Sequence, residues 1–341
     1  MSIKNFGLPY TGSKSRIAPW LMEMLPACDH FVDVFAGGCA VSHAMMLYNK
    51  ARKITLNDLQ GDVVNLFLDA LHGNLEKYAP YQWIDRKTFF EQKDNNPFIR
   101  LVYSFGNNGK DYLYSKEIEE YKHAVHLALV EDNWILFSQL CPELYEQCKN
   151  ELLKYQLDNE NYYNSIRVRR LHLQKKCIEI LCDISGHNWC SDVIQQNPFY
   201  RGARKEWITH GKNGSGIESI QILQHIGAAG RIELINDNIN VLPVINVQSK
   251  DYRLLDIPNN SVVFCDPPYK NSSIKYNNIK FDHEEFYNWC IEKAKNNDVF
   301  VTEYNIEHPN FKLIGEKARK ISMNGIGSKG FKTERLYKAI P

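Results

Sequence analysis

The chain has 341 residues, of which 44% are hydrophobic, and a formal net charge of only +1. That length suits one large domain or two modest ones, and the apolar content is enough for a core. The near-neutral balance excludes a chain that is strongly basic throughout, and no apolar run approaches the ~20 residues of a membrane-spanning helix. The nine cysteines are scattered without a C-x-x-C pair, and no signal peptide is apparent, so the expected setting is a reducing cytoplasm.

In chain order, the first turn is Pro9-Tyr10-Thr11-Gly12-Ser13-Lys14, ahead of a helix predicted from about Ser15 to Leu25. A lysine just after a glycine turn, Lys14, is placed to neutralise a ligand carboxylate, although a solvated lysine in a turn is the commoner case. Phe31-Val32-Asp33-Val34-Phe35 then reads as a buried strand running into Ala36-Gly37-Gly38 and a helical stretch from Cys39 to Asn49. Glycines let backbone approach a ligand closely, and the following helix N-terminus offers free N–H groups. Without a G-x-G-x-x-G pattern, a pyrophosphate-bearing dinucleotide is not the first choice. S-adenosylmethionine, which carries a carboxylate and an adenosine, suits the turn better. A short strand, Ile54-Thr55-Leu56, ends in Asn57-Asp58. Asp58 follows Gly37 at about the 20-residue interval at which an acid in such units reaches ribose hydroxyls. Its competing role is to cap the helix expected from Leu59 to Leu71.

The middle of the chain is organised differently. From Lys116 to Asp192 the apolar residues recur at helical spacing, and glycine is nearly absent between positions 110 and 185. Asn159 to Asn164 reads as a helix break, and Ile217 to Ile226 as a further helix. At the entrance to this region, Tyr103 to Lys110 is turn-forming, and Asn107 and Lys110 are candidates to meet a phosphate or base edge, against the alternative of an ordinary surface loop. Between Ser165 and Lys212 the bases Arg167, Arg169, Arg170, Lys175, Lys176, Arg201, Arg204, Lys205 and Lys212 outnumber Glu179, Asp183, Asp192 and Glu206. A phosphate-facing surface needs that asymmetry, whereas a solvated helix face is the plainer reading. Cys177, Cys182, His187 and Cys190 lie close in sequence but lack zinc-clip spacing, so buried thiols are expected and no metal.

The last landmark is the apolar run Val262-Val263-Phe264-Cys265, closed by Asp266-Pro267-Pro268-Tyr269. An exocyclic base nitrogen is a poor nucleophile because its lone pair is delocalised. Asp266 can accept one of its N–H bonds and the Pro267 carbonyl the other, with Pro268 stiffening the turn. Tyr269 would supply a stacking face for an extruded base, and another aromatic ring should replace it better than alanine. The alternative is a tight turn with an ordinary aspartate.

Together, Tyr10 to Lys14, Asp33 to Gly38, Asn57-Asp58 and Asp266 to Tyr269 resemble the ordered motif set of the Dam-like, alpha-group (D12 class) DNA adenine-N6 methyltransferases. Lys250-Asp251-Tyr252 resembles the acid-aromatic pair that frames the cofactor adenine in that family. Val299 to Asn305, Ser322 to Gly325 and Thr333 to Lys338 resemble its later strands and loop. One departure is Ser13, where many relatives have a second glycine. The resemblance implies a site-specific DNA adenine-N6 methyltransferase using S-adenosylmethionine. Its cofactor residues are Tyr10, Lys14, Asp33, Phe35, Ala36, Gly37, Gly38, Asn57, Asp58, Asp251, Tyr252 and Asp266, and its catalytic residues Asp266, Pro267, Pro268 and Tyr269. Candidate contacts to double-stranded DNA are Asn107, Lys110, Arg167, Arg169, Arg170 and Lys329.

The expected fold is α/β, a Rossmann-like doubly wound methyltransferase sheet into which a mostly helical target-recognition domain is inserted, and the resemblance further implies a mixed sheet of seven strands with an antiparallel last strand. The expected boundaries are 1–95 and 236–341 for the core and 96–235 for the insertion. A monomer or weak dimer of bacterial or phage origin is expected, with a companion restriction endonuclease left open. Cytosine-N4, RNA and protein-glutamine methyl transfer remain alternatives, as does a non-catalytic DNA-binding regulator.

Overall fold

The computed structural model describes residues 6–72, 74–78, 82–158, 162–186, 243–270, 281–320 and 331–341. They group into two compact units, one drawn from residues 1–8, 12–71 and 226–341 and the other from 9–11 and 72–225.

The first unit is built on seven strands: β1 (Cys28–Asp33), β2 (Ala51–Asn57), β3 (Val244–Gln248), β4 (Val262–Cys265), β5 (Asp298–Glu303), β6 (Phe311–Lys320) and β7 (Phe331–Ala339). Their order in the sheet is β3-β2-β1-β4-β5-β7-β6. The first five are parallel, and β7 lies antiparallel to both β5 and β6. This is the mixed seven-stranded sheet that the resemblance implies.

Parallel strands are covered on both faces and so read as continuous apolar runs, as β4 does: Val262, Val263, Phe264 and Cys265 are all buried. Alternate residues serve the two faces. Val32, Val34, Val263, Val299 and Val301 join a cluster with Tyr252, Phe286 and Tyr287, while Phe31 and Phe264 stack with ring centroids 6.3 Å apart. Helices α1 (Ala18–Met24), α2 (Ala40–Leu47) and α3 (Gly61–His72) belong to this unit, and α2 packs on β1 and β2.

The chain leaves β1 toward β2 on one side, while β4 pairs with β1 on the other. The switch point therefore lies at the carboxyl ends of β1 and β4, where open α/β sheets bind ligands.

In the second unit the described helices are α4 (Arg86–Gln92), α5 (Pro97–Val102), α6 (Lys116–Val130), α7 (Ile135–Leu140), α8 (Pro142–Leu152) and α9 (Tyr162–Ser185). Helix α10 (His283–Ala294) returns to the sheet and packs on β5 and β7. The helical unit begins at His72, ahead of the expected residue 96, and its bonding explains why. The Tyr103 hydroxyl donates to the Gln82 carbonyl at 2.7 Å, the Tyr112 hydroxyl to that of Ile84 at 2.6 Å, and Arg86 pairs with Glu119 at 3.1 Å. Residues 82–95 are thereby tied to the helices that follow them. The rear boundary, the predicted helix at 217–226, residues 159–161 of the expected Asn159 to Asn164 break, and His187 and Cys190 lie outside the described residues, while α9 is already helical from Tyr162 and takes up the rest of that break. Cys177 sits in the helical core with its Sγ 3.5 Å from that of Cys148. No helix among the described residues is long and apolar enough to cross a membrane.

Two DNA-contact expectations are corrected here. Arg169 is only 4% exposed, because α9 turns it inward on the same stripe as Leu173, Cys177 and Ile180. Its guanidinium donates to the Ala128 carbonyl at 2.9 Å, the Asp132 carboxylate at 2.8 Å and the Tyr155 carbonyl at 3.2 Å. It thus closes the C-terminal end of α6, where carbonyls lack helical partners. Asn107 is buried with a positive φ of 56° and donates its side-chain amide to the Leu101 carbonyl at 2.8 Å. Its own carbonyl accepts the Thr11 hydroxyl at 2.9 Å. Both residues hold the unit together. Lys110 is exposed, the Arg167 side chain lies outside what is described, and Lys329 falls outside the described residues.

Replacing Arg169 by alanine should therefore destabilise the protein by about 1.5–3 kcal/mol, the range for hydrogen bonds to a charged group. Chemical denaturation of the intact chain checks this, and an unchanged midpoint would return Arg169 to the surface candidates.

Candidate active site

Three loops leave the carboxyl ends of neighbouring strands. After β1, the backbone turns through Gly37 at φ 48° and Cys39 at φ 59° before α2. The Gly37 N–H donates to Asp58 Oδ2 at 2.8 Å, and the Gln60 N–H to Asp58 Oδ1 at 2.8 Å. One carboxylate therefore holds the glycine loop and the start of α3 together. Of the two roles considered for Asp58, these bonds bear on the turn toward α3, and they also set the carboxylate against the glycine loop.

The loop is also fixed from the N-terminal side. Gly7 has a φ of 67°, and a Cβ there would lie 2.3 Å from the Gly38 carbonyl oxygen and 2.6 Å from Ala40. Only glycine lets this segment approach so closely, and the Leu8 N–H donates to that Gly38 carbonyl at 2.6 Å.

Asp33 ends β1 at 2% exposure and accepts the Ser42 hydroxyl at 2.5 Å. Burial, offset in part by that bond and reinforced by the charges of Asp266 and Asp58, pushes its carboxyl up to about 7. Asn57 is a clip: its amide donates to the carbonyls of Val34 and Lys250 at 2.9 and 3.0 Å, and its oxygen accepts the Lys250 N–H at 2.9 Å. Asp251 accepts the Arg253 N–H at 3.0 Å and pairs with the Arg253 guanidinium at 2.6 Å. The Tyr252 ring is packed among Phe35, Phe281, Phe286 and Trp289, with its centroid 5.8 Å from that of Phe35. Ala36 is buried, and Tyr10 groups with the second unit.

Asp266 leaves β4 with both oxygens engaged. Oδ2 lies 2.8 Å from the Lys14 ammonium, and Oδ1 accepts the Thr302 hydroxyl at 2.8 Å. Lys14 is 7% exposed, and its ammonium stands 4.8 Å from the centre of the Tyr269 ring. The charge of Lys14 is directed at Asp266, because a carboxylate largely withdrawn from water demands a partner. Burial still raises the Asp266 carboxyl above its usual range, with Lys14 opposing it.

The turn beyond Asp266 is pinned on two sides. The His283 ring nitrogen lies 2.9 Å from the Pro268 carbonyl, and the Lys270 N–H donates to Glu303 at 3.1 Å. Pro267 is buried and Tyr269 half-buried. The Tyr269 hydroxyl donates to Glu334 Oε2 at 2.7 Å. Glu303, 2% exposed, also accepts the Tyr304 N–H at 2.7 Å, and burial pushes its carboxyl up to about 7.

Sequence reasoning did not single out Ser42, His283, Thr302, Glu303 or Glu334. A visible signal did exist for two of them, since Thr302-Glu303 follows the apolar run Val299-Phe300-Val301 and ends β5 at the same edge as Asp266.

The glycine loop after β1, the acid after β2 and the acid-proline turn after β4 thus share one end of the sheet. A model of the family described as D12 class N6 adenine-specific DNA methyltransferase matches residues 10–296. The chain belongs to that family. It is accordingly an enzyme that methylates adenine N6 in DNA, and the family's methyl donor is S-adenosylmethionine. No curated protein matches the chain significantly.

One consequence is open to measurement. Asp33 titrates near 7 when folded against 3.8 as its ordinary value. Between these values the folded state holds a proton that the unfolded state has released, so rising pH costs stability from about pH 4 and the cost is complete above about 7. Asp33→Asn, which can still accept the Ser42 hydroxyl, should remove that dependence. Denaturation midpoints of wild type and variant should diverge as pH rises through this window, with the variant gaining; parallel curves would mean that Asp33 stays ionised throughout.

Proposed function

We propose that this methyltransferase acts on an adenine flipped out of duplex DNA, with the amine held by Asp266 and the Pro267 carbonyl and the base stacked on Tyr269. The observation that carries the reading is Asp266 itself, a half-buried carboxylate at the switch point of the sheet, oriented by Lys14 and Thr302 before any substrate arrives. Such preorganisation leaves little to rearrange when the amine docks. Flipping costs a few kcal/mol, which the stacking face and the two acceptors must offset.

S-adenosylmethionine, when bound, supplies an electrophilic methyl group on a cationic sulfur. The residues present fit it. The Gly37-Gly38 turn allows close backbone approach, and Asp58 offers ribose hydroxyls a carboxylate already held by two N–H donors. Phe35 with Tyr252 makes an apolar wall. Asp266 and the Pro267 carbonyl draw on the two N–H bonds of the amine and localise its lone pair. Asp266 acts as a positioner and charge stabiliser, because the nitrogen sheds its proton readily once it carries the methyl group. Lys110 is retained as a candidate phosphate contact.

Asp266→Ala should abolish methyl transfer while leaving cofactor affinity nearly intact. Activity within about tenfold of wild type would remove Asp266 from the reaction. Digestion of methylated DNA to nucleosides should give N6-methyladenine; C5-methylcytosine would overturn the mechanism.

Asp58→Ala should weaken S-adenosylmethionine binding by about tenfold or more, the loss of a charge-assisted hydrogen bond. Asp58→Asn keeps an acceptor for the Gly37 N–H and separates the loop from the charge. Calorimetric titration in which both variants bind like wild type would leave Asp58 a purely structural role.

A further inference from the structure

Glu334 lies on β7, beyond the residues matched by the family model, and is fully buried. A glutamate is almost never buried without a partner that needs it, because desolvating its charge is costly. Packing does not explain it, since an apolar side chain would fill the same space without that penalty. Its Oε2 accepts the hydroxyl of Tyr269 at 2.7 Å. Burial, with the charges of Asp266 and Glu334, pushes the Tyr269 phenol well above its usual range, so the hydroxyl keeps its proton and remains the donor.

The other contacts of the Tyr269 ring leave its tilt open. Tyr304 meets it edge-on, with centroids 4.6 Å apart and planes at 86°, and the Lys14 ammonium stands over it at 4.8 Å. A phenylalanine would keep both. Only the hydroxyl ties the far end of the ring to a strand, and a stacking surface is useful when its plane is set before the base arrives.

We propose that Glu334 is a positioning residue for methyl transfer: through its hydrogen bond to the Tyr269 hydroxyl it fixes the plane of the ring on which the target base stacks. This rests on the stacking role proposed for Tyr269. It adds a cost for the lost hydroxyl to the expectation that another aromatic ring replaces Tyr269 better than alanine does.

The test uses the full chain with unmethylated genomic DNA and compares Tyr269→Phe, Glu334→Ala, Glu334→Gln and the double variant Tyr269→Phe/Glu334→Ala. Calorimetric binding of S-adenosylmethionine confirms folding in each case. Glu334→Ala and Tyr269→Phe should each lower kcat by about tenfold, and the double variant should be no slower than either, because all three lose one bond. Glu334→Gln, whose amide oxygen can still accept the hydroxyl, should stay within about threefold of wild type. A double variant slowed by the product of the two single effects would overturn the proposal, as would Glu334→Ala at wild-type kcat. Where Glu334→Ala fails to bind the cofactor, Tyr269→Phe decides: wild-type kcat in that variant overturns the proposal, and a loss matched by retention in Glu334→Gln supports it. Tyr269→Ala separates the two layers, since wild-type activity there would remove the stacking role itself.

Discussion

A carboxylate withdrawn from water at the end of a central strand must be partnered, and the partners of Asp266 organise much of the first unit. Lys14 brings the N-terminal turn to β4, and Thr302 brings the end of β5 to the same point. The segment that carries Lys14 is held a few residues earlier, where Gly7 lies against the Gly38 carbonyl. One electrostatic requirement thus ties the turn before α1, the glycine loop after β1 and the ends of β4 and β5 into a single geometry. Either oxygen still has a lone pair to offer, because a carboxylate accepts at about four sites.

The carboxylates around Asp266 are not interchangeable. Burial pushes the carboxyls of Asp33 and Glu303 both up to about 7, and the charge of Asp266 adds to each rise. Yet they bind different groups, since Asp33 holds Ser42 in α2 and Glu303 holds the N–H groups of Lys270 and Tyr304. Mutual repulsion is tolerated because every member is hydrogen-bonded, the condition under which buried polar networks rigidify a site. Lys14, itself buried, places a positive charge inside this group.

What the sequence made legible follows from which signals are local. Parallel strands buried on both faces announce themselves as apolar runs, and a strand that ends in an acid or a glycine turn marks the ligand edge of the sheet. Gly37, Asp58 and Asp266 were readable on that basis. The partner of Lys14 was not, because nothing local links a lysine in the first turn to an aspartate after the fourth strand. Arg169 was misjudged for a different reason. Adjacent arginines on a helix look like a charged face, although the spacing to Leu173, Cys177 and Ile180 is that of an inward stripe, and the stripe decides. Asn107 reads as a loop amide until its positive φ and burial are seen.

The last strand shows how such a signal can be used. Along Thr333-Glu334-Arg335-Leu336-Tyr337, side chains alternate between faces, so Glu334 shares a face with the fully buried Leu336. Period two alone therefore predicts a charge in the interior, and desolvation makes that arrangement unstable unless something there requires an acceptor. The Tyr269 hydroxyl meets the requirement. It follows that β7, antiparallel to the strands that build the ligand edge, reaches the reacting end of the sheet through one hydrogen bond. The antiparallel hairpin is then joined to the site by chemistry as well as by its backbone ladder.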